Sequence, residues 1–80
     1  MEKTIASQSY FNLINWLTDA RISRGLSIRQ LATDLGLPPN TIHRIETLER
    51  RLDVNEYVLY CRALNVDPIK GIKLFYSDIS

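Results

Sequence analysis

The stretch Ile28-Arg29-Gln30-Leu31-Ala32-Thr33-Asp34-Leu35-Gly36-Leu37-Pro38-Pro39-Asn40-Thr41-Ile42-His43-Arg44-Ile45-Glu46-Thr47 decides the fold. On both sides of Gly36 the apolar residues recur at helical spacing. This predicts two short helices joined by a tight turn containing glycine. Gly36 can take the positive φ that such a turn needs. Ala32 is small where the second helix must cross the first closely. Leu31, Leu35, Leu37, Ile42 and Ile45 fill the wedge between the two. A generic helical pair matches one or two of these features by chance, so all of them in register form a specific signal. Proline suits the first position of a helix, where its missing N–H has no helical partner anyway. Two starts for the second helix of the pair remain open: Pro39 as its first residue, or Asn40 as its cap.

Reading outward, Tyr10, Leu13, Ile14, Leu17, Ala20 and Arg21 follow the three-four rhythm of one helical face. They predict a first helix from about Ser9 to Arg24, with Gly25 just past its end. Ser27 and Gln30 form a capping box at the start of the second helix. Beyond the polar run Glu49-Arg50-Arg51, the segment Asp53-Val54-Asn55-Glu56 is another capping-box start. It opens a fourth helix that presents Tyr57, Val58, Cys61 and Leu64 on one side and stops at Asn65. Asp67-Pro68 begins a short fifth helix, weakened by Gly71 and ending near Tyr76. No hairpin signal and no repeat appears. The expected fold is all-α: one compact five-helix domain over residues 9–76, a flexible N-terminal segment at 1–8 and a C-terminal tail at 77–80.

The bulk properties fit one small soluble domain. The chain has 80 residues, 45% hydrophobic and 24% charged, the balance of a folded rather than a disordered protein. A domain this small is marginal alone, and a partner subunit would help it. No apolar run approaches the roughly 18 residues of a membrane span, so no membrane contact is expected. The first residues lack the basic-then-apolar pattern of a secretion signal, which makes a cytoplasmic location the expectation. Cys61 is the only cysteine, so neither an internal disulfide nor a thiol metal cluster can form, and it reads as a small core residue. His43 has no second histidine or cysteine beside it. No metal, no cofactor and no catalytic residues are expected, and the chain does not read as an enzyme. The net charge of +1 argues nothing alone, but residues 21–51 carry six arginines against three acids. Positive charge is therefore concentrated where a phosphate backbone could be met.

The paired helices form the helix-turn-helix pattern, and the chain resembles the Cro/repressor-type (lambda-repressor-like) helix-turn-helix family. The residues that carry the resemblance are Arg24-Gly25-Leu26-Ser27, Leu31-Ala32 with Leu35-Gly36-Leu37, Ile42 with Ile45-Glu46, Arg50-Arg51-Leu52-Asp53-Val54, and Cys61 through Pro68. They span roughly residues 10–74. The resemblance implies a five-helix bundle whose third helix lies in the major groove of double-stranded DNA. It further implies dimers on palindromic operators, commonly with the C-terminal helix at the interface. Carried over by position, Pro39, Asn40, His43 and Arg44 face the bases, with Thr41 near a thymine methyl group or a phosphate. Asn can bond adenine bidentately and Arg can bond guanine likewise, whereas Pro39 offers no donor and shifts the readout to its neighbours. Thr47, Arg50 and Arg51 fall where the family approaches the sugar-phosphate backbone, and Arg29 is a weaker phosphate candidate. Arg21 and Glu46 correspond to a partly buried ion pair that locks helix 1 to the recognition helix.

Three positions depart from the family pattern. Glutamine is frequent where this chain has Ile28 and Pro39, and a helix-ending glycine is usual at Leu48. Leucine is poor in the left-handed region, so either helix 3 runs longer or the 48–53 loop takes another path. Phe11, Trp16, Leu59 and the tail residues Ile72, Leu74, Phe75 and Tyr76 add more apolar surface than five short helices easily hide. That surplus predicts a homodimer contact through Ile72, Leu74, Phe75 and Tyr76; the alternative is a tail folded back onto its own core. The expected function is a sequence-specific DNA-binding transcriptional regulator, a repressor acting as a homodimer. The alternative is a protein-interaction module on the same scaffold, antitoxin-like or adaptor-like, with a protein as its main partner.

Overall fold

Ser7, Ser27 and Asp53 each place a side-chain oxygen over the first free amides of a helix, and Gly25, Gly36 and Asn65 each turn left-handed just past an end. The computed structural model describes residues 7–79, with side chains as far as Tyr76. Its helices are α1 (Gln8–Ser23), α2 (Ile28–Leu35), α3 (Pro39–Glu46), α4 (Val54–Leu64) and α5 (Pro68–Ile79). No strand occurs among the described residues. Of the segment expected to be flexible at 1–8, residues 1–6 lie outside the described residues, while Ser7 caps α1 and Gln8 begins it. Of the tail expected at 77–80, residue 80 lies outside the described residues. The backbone of 77–79 continues α5 past Tyr76.

The local chemistry explains each boundary. The Gln30 amide donates to Ser27 Oγ at 3.0 Å while the Ser27 amide donates to Gln30 Oε1 at 2.8 Å. Asp53 and Glu56 repeat this reciprocal box at the start of α4. Such caps satisfy amides that have no partner within the helix. Pro39 opens α3, with Pro38 at the cap position and no side-chain capping bond, so Asn40 is not the cap. Past α3 the outcome differs from both expected alternatives. The helix ends at Glu46, and Leu48 itself turns left-handed at φ 67°. The Glu49 amide then donates to the Arg44 carbonyl at 2.8 Å, as it would after a glycine. Left-handed backbone costs a non-glycine residue about 1–2 kcal/mol. The half-buried Leu48 side chain offsets that cost by packing against the core.

Leu17, Leu31, Ile42, Ile45, Tyr60, Cys61 and Leu64 are almost completely buried and bring α1 to α4 onto one core. Burying one such aliphatic side chain stabilises by about 1.5–3 kcal/mol. Burial also pushes the Cys61 thiol and the Tyr60 phenol above their ordinary ranges, which favours the neutral form of both. α1 packs against α3, α4 and α5, and α2 packs against α3 and α4. Gly71 is buried where α5 meets α1 and α4: a Cβ there would lie 2.6 Å from the Trp16 ring. The residue that spacing alone reads as a weak point of helix 5 is therefore a point of close packing against α1 and α4. The tail divides in two. Phe75 folds back, half-buried, beside Tyr10, Leu13 and Leu52, whereas Ile72, Leu74 and Tyr76 stay exposed.

Candidate nucleic-acid interface

α3 is eight residues long, and its two faces differ completely. Ile42 and Ile45 are buried, while Asn40, His43, Arg44 and Thr47 are exposed. Those four recur at three- and four-residue intervals, so they form one polar stripe along the outer side of the rod. Pro39 is exposed at its start, and Thr41 is half-buried at its flank. The stripe carries two groups with the hydrogen-bonding pattern of base readers, the Asn40 amide and the Arg44 guanidinium. Thr47 is turned toward its own chain: its hydroxyl lies 3.0 Å from the His43 carbonyl and 2.8 Å from Glu49 Oε2. Arg29 is exposed on the first turn of α2. Ile28 is half-buried and packs against the core. Its departure from glutamine thus serves packing.

The rod is braced from behind. Arg21 of α1 forks onto Glu46 at the end of α3, with Nε–Oε2 2.6 Å and Nη2–Oε1 3.0 Å. Its remaining terminal nitrogen donates to the Leu26 carbonyl at 2.8 Å, in the turn before α2. One guanidinium therefore ties three segments, and the two side chains are only 13% and 11% exposed. At that burial the pair is fixed by hydrogen-bond geometry rather than held loosely in water.

A second fork lies in the loop after α3. Arg50 Nη1 and Nη2 donate to Glu56 Oε1 at 3.0 Å and Oε2 at 2.8 Å. Nη1 also reaches the Arg51 carbonyl at 3.1 Å. Glu56 accepts the Asp53 amide as well, and its carboxyl sits below the ordinary range, first because of the Arg50 hydrogen bonds. The same bonds raise Arg50. The Leu52 amide donates to the Tyr10 hydroxyl at 3.0 Å, anchoring the loop to α1. So of the basic residues expected at the backbone, Arg29 and Arg51 are exposed, while Arg50 points its terminal donors at Glu56 and the Arg51 carbonyl. The Arg50–Glu56 pair is the feature that sequence reading missed. The sequence held no local signal for it, since water can satisfy the carboxylate oxygen that a capping box leaves over.

The helix-turn-helix family model matches residues 17–70, which takes in the paired helices, the bracing ion pair and the loop. The chain belongs to this family. A solved structure, an XRE-family like protein from Pseudomonas syringae pv. tomato str. DC3000, is similar to this chain and consistent with a Cro/repressor-type helix-turn-helix domain. That protein superposes with a TM-score of 0.81 at 32% identity, covering 90% of this chain and 88% of the other. No curated protein matches the sequence. The family is one of DNA-binding regulators, and α2 and α3 form its helix-turn-helix motif in this chain. No helix of the described residues is long and apolar enough to cross a membrane.

Proposed function

We propose that this protein is a sequence-specific transcriptional repressor that binds a palindromic operator as a homodimer. One observation carries the reading: the exposed stripe of Asn40, His43 and Arg44 on a helix whose other face is buried. α3 enters the major groove, Asn40 and Arg44 read base edges, and His43 and Thr41 stand beside them as secondary contacts. Arg29 and Arg51 meet phosphates, with Thr47 at the same edge. Phosphate contacts supply position and affinity, and base contacts supply choice. The dimer forms through the exposed apolar residues Ile72, Leu74 and Tyr76 of α5, next to Ile69 and Val58. Two-fold symmetry then sets the half-sites about one helical turn, roughly 34 Å, apart.

Selection of bound duplexes from a random pool tests this. The expected winner is a palindrome, and the protein should sediment as a dimer at high micromolar concentration. Arg44→Ala is expected to relax preference at one base pair per half-site by about 1–3 kcal/mol. Arg51→Ala should weaken every duplex alike and reduce the salt slope by about one per bound subunit. Equal losses on all sequences for both variants would refute this division of labour. A second reading, a protein-interaction module, draws on the exposed apolar residues Val54, Val58 and Ile69. A pool from which no duplex is enriched would favour it.

A further inference from the structure

The loop between α3 and α4 carries Arg51, and almost every amide along it is accounted for. The Leu48 amide donates to Ile45, and those of Glu49 and Arg50 donate to the Arg44 carbonyl at 2.8 and 3.2 Å. The Leu52 amide is held by Tyr10 and the Asp53 amide by Glu56. The Arg50 side chain stands at the centre of this set. Its two terminal nitrogens grip a Glu56 carboxylate that is only 11% exposed, and one of them grips the Arg51 carbonyl. A planar guanidinium can hold two carboxylate oxygens and a carbonyl at once, which an ammonium on a flexible stem cannot do in the same geometry.

We propose that Arg50 is a positioning residue for DNA binding rather than a phosphate ligand. Clamped between Glu56 and the Arg51 carbonyl, it fixes the Arg51 peptide against α4 and so sets where Arg51 meets the DNA backbone relative to the stripe on α3. The proposal rests on the regulator reading above. It also explains why two adjacent arginines are not equivalent. Arg50 forks onto a carboxylate with its side chain 36% exposed, and Arg51 is exposed next to it.

Two substitutions separate the roles because a phosphate ligand and a positioning residue respond in opposite ways. Arg50→Lys keeps the charge at position 50. If Arg50 were a phosphate ligand acting through its charge, most of the affinity for the selected duplex and the full salt slope would be kept, because lysine binds phosphate as a point charge. As a positioning residue, its loss of the fork should weaken binding on the order of tenfold, the size of one lost charge-assisted contact. Glu56→Gln removes a carboxylate and releases Arg50. A phosphate ligand freed in this way would bind DNA more tightly, whereas a released clamp should weaken binding by an amount similar to Arg50→Lys. Affinities are compared at a temperature where circular dichroism finds each variant fully folded, so that lost stability does not pass for lost affinity. Hydrogen exchange of the free protein gives a second readout. Both variants should speed exchange at the Leu52 and Asp53 amides and leave that of Ile45 unchanged. Arg50→Lys binding like the parent, or Glu56→Gln binding more tightly, would overturn the proposal while leaving the regulator reading intact. A parent protein that binds no duplex would remove that reading and this proposal together.

Discussion

Glu46→Ala is expected to destabilise the domain by about 3–5 kcal/mol, and Arg21→Ala by a similar amount. The reason lies in what each truncation leaves behind. Without Glu46, the Arg21 guanidinium keeps one partner, the Leu26 carbonyl, at a site where its side chain is 13% exposed. Without Arg21, the Glu46 carboxylate stays in place with no cation on either oxygen. Coulomb attraction between the pair matters less here than the desolvation that the survivor can no longer offset. At about 0.05–0.15 kcal/mol per residue, the whole domain has only some 4–12 kcal/mol to lose. Either single variant should therefore approach the edge of folding. Urea unfolding with an unchanged slope would measure this as a fall in midpoint. The double variant Arg21→Met/Glu46→Leu should recover most of the loss, because it removes both charges and keeps the volume. Single variants with the parent's midpoint would show that the bridge contributes nothing.

This bridge illustrates what a sequence makes legible and what it hides. Features that depend on a few neighbouring residues could be read directly. The Ser27–Gln30 and Asp53–Glu56 boxes, the turns at Gly25 and Gly36, and the stop at Asn65 lie where spacing puts them, because caps are local chemistry. The inward and outward faces of α3 were legible for the same reason: helical periodicity alone separates Ile42 and Ile45 from Asn40, His43 and Arg44. Features decided by packing across the chain were not. Leu48 turns left-handed against its own preference, with its side chain packed against the core. Arg50 looked like a surface cation, since no local rule announces that a capping glutamate six residues on will take its guanidinium. Phe75 lies half-buried against its own chain, a placement that composition alone does not give. Phosphate and base contacts belong to a complex, and the free domain displays only which groups stand on its outer face.

Gly71→Ala is the second substitution expected to have a large effect, and its sign runs against helix propensity. Alanine in place of glycine favours an exposed helix interior by about 1 kcal/mol. At Gly71 the added methyl group would collide with the Tyr57 hydroxyl, lie 2.6 Å from the Trp16 ring and 3.1 Å from Leu13 Cδ1. The hydroxyl cannot swing aside freely, because it donates to the Pro68 carbonyl at 2.6 Å, at the start of the same helix. Either that bond breaks or α5 lifts from α1. Overpacking costs about 1–3 kcal/mol and a lost buried hydrogen bond about 1 kcal/mol more. The balance is a net destabilisation of about 1–3 kcal/mol. In a domain of this size each 1 kcal/mol lowers the melting temperature by about 4–8 °C. Adding Tyr57→Phe removes the atom in closest conflict and should restore part of the loss, whereas two independent defects would simply add. A Gly71→Ala protein that melts above the parent would mean that α5 does not press on α1 at this point. The variant also bears on assembly. Ile69, Ile72 and Leu74, proposed to meet a second copy, ride on the helix that Gly71 seats. Lifting α5 should weaken the dimer while the stripe on α3 stays intact. The operator would then lose affinity through the loss of two-site binding, with its base preferences unchanged.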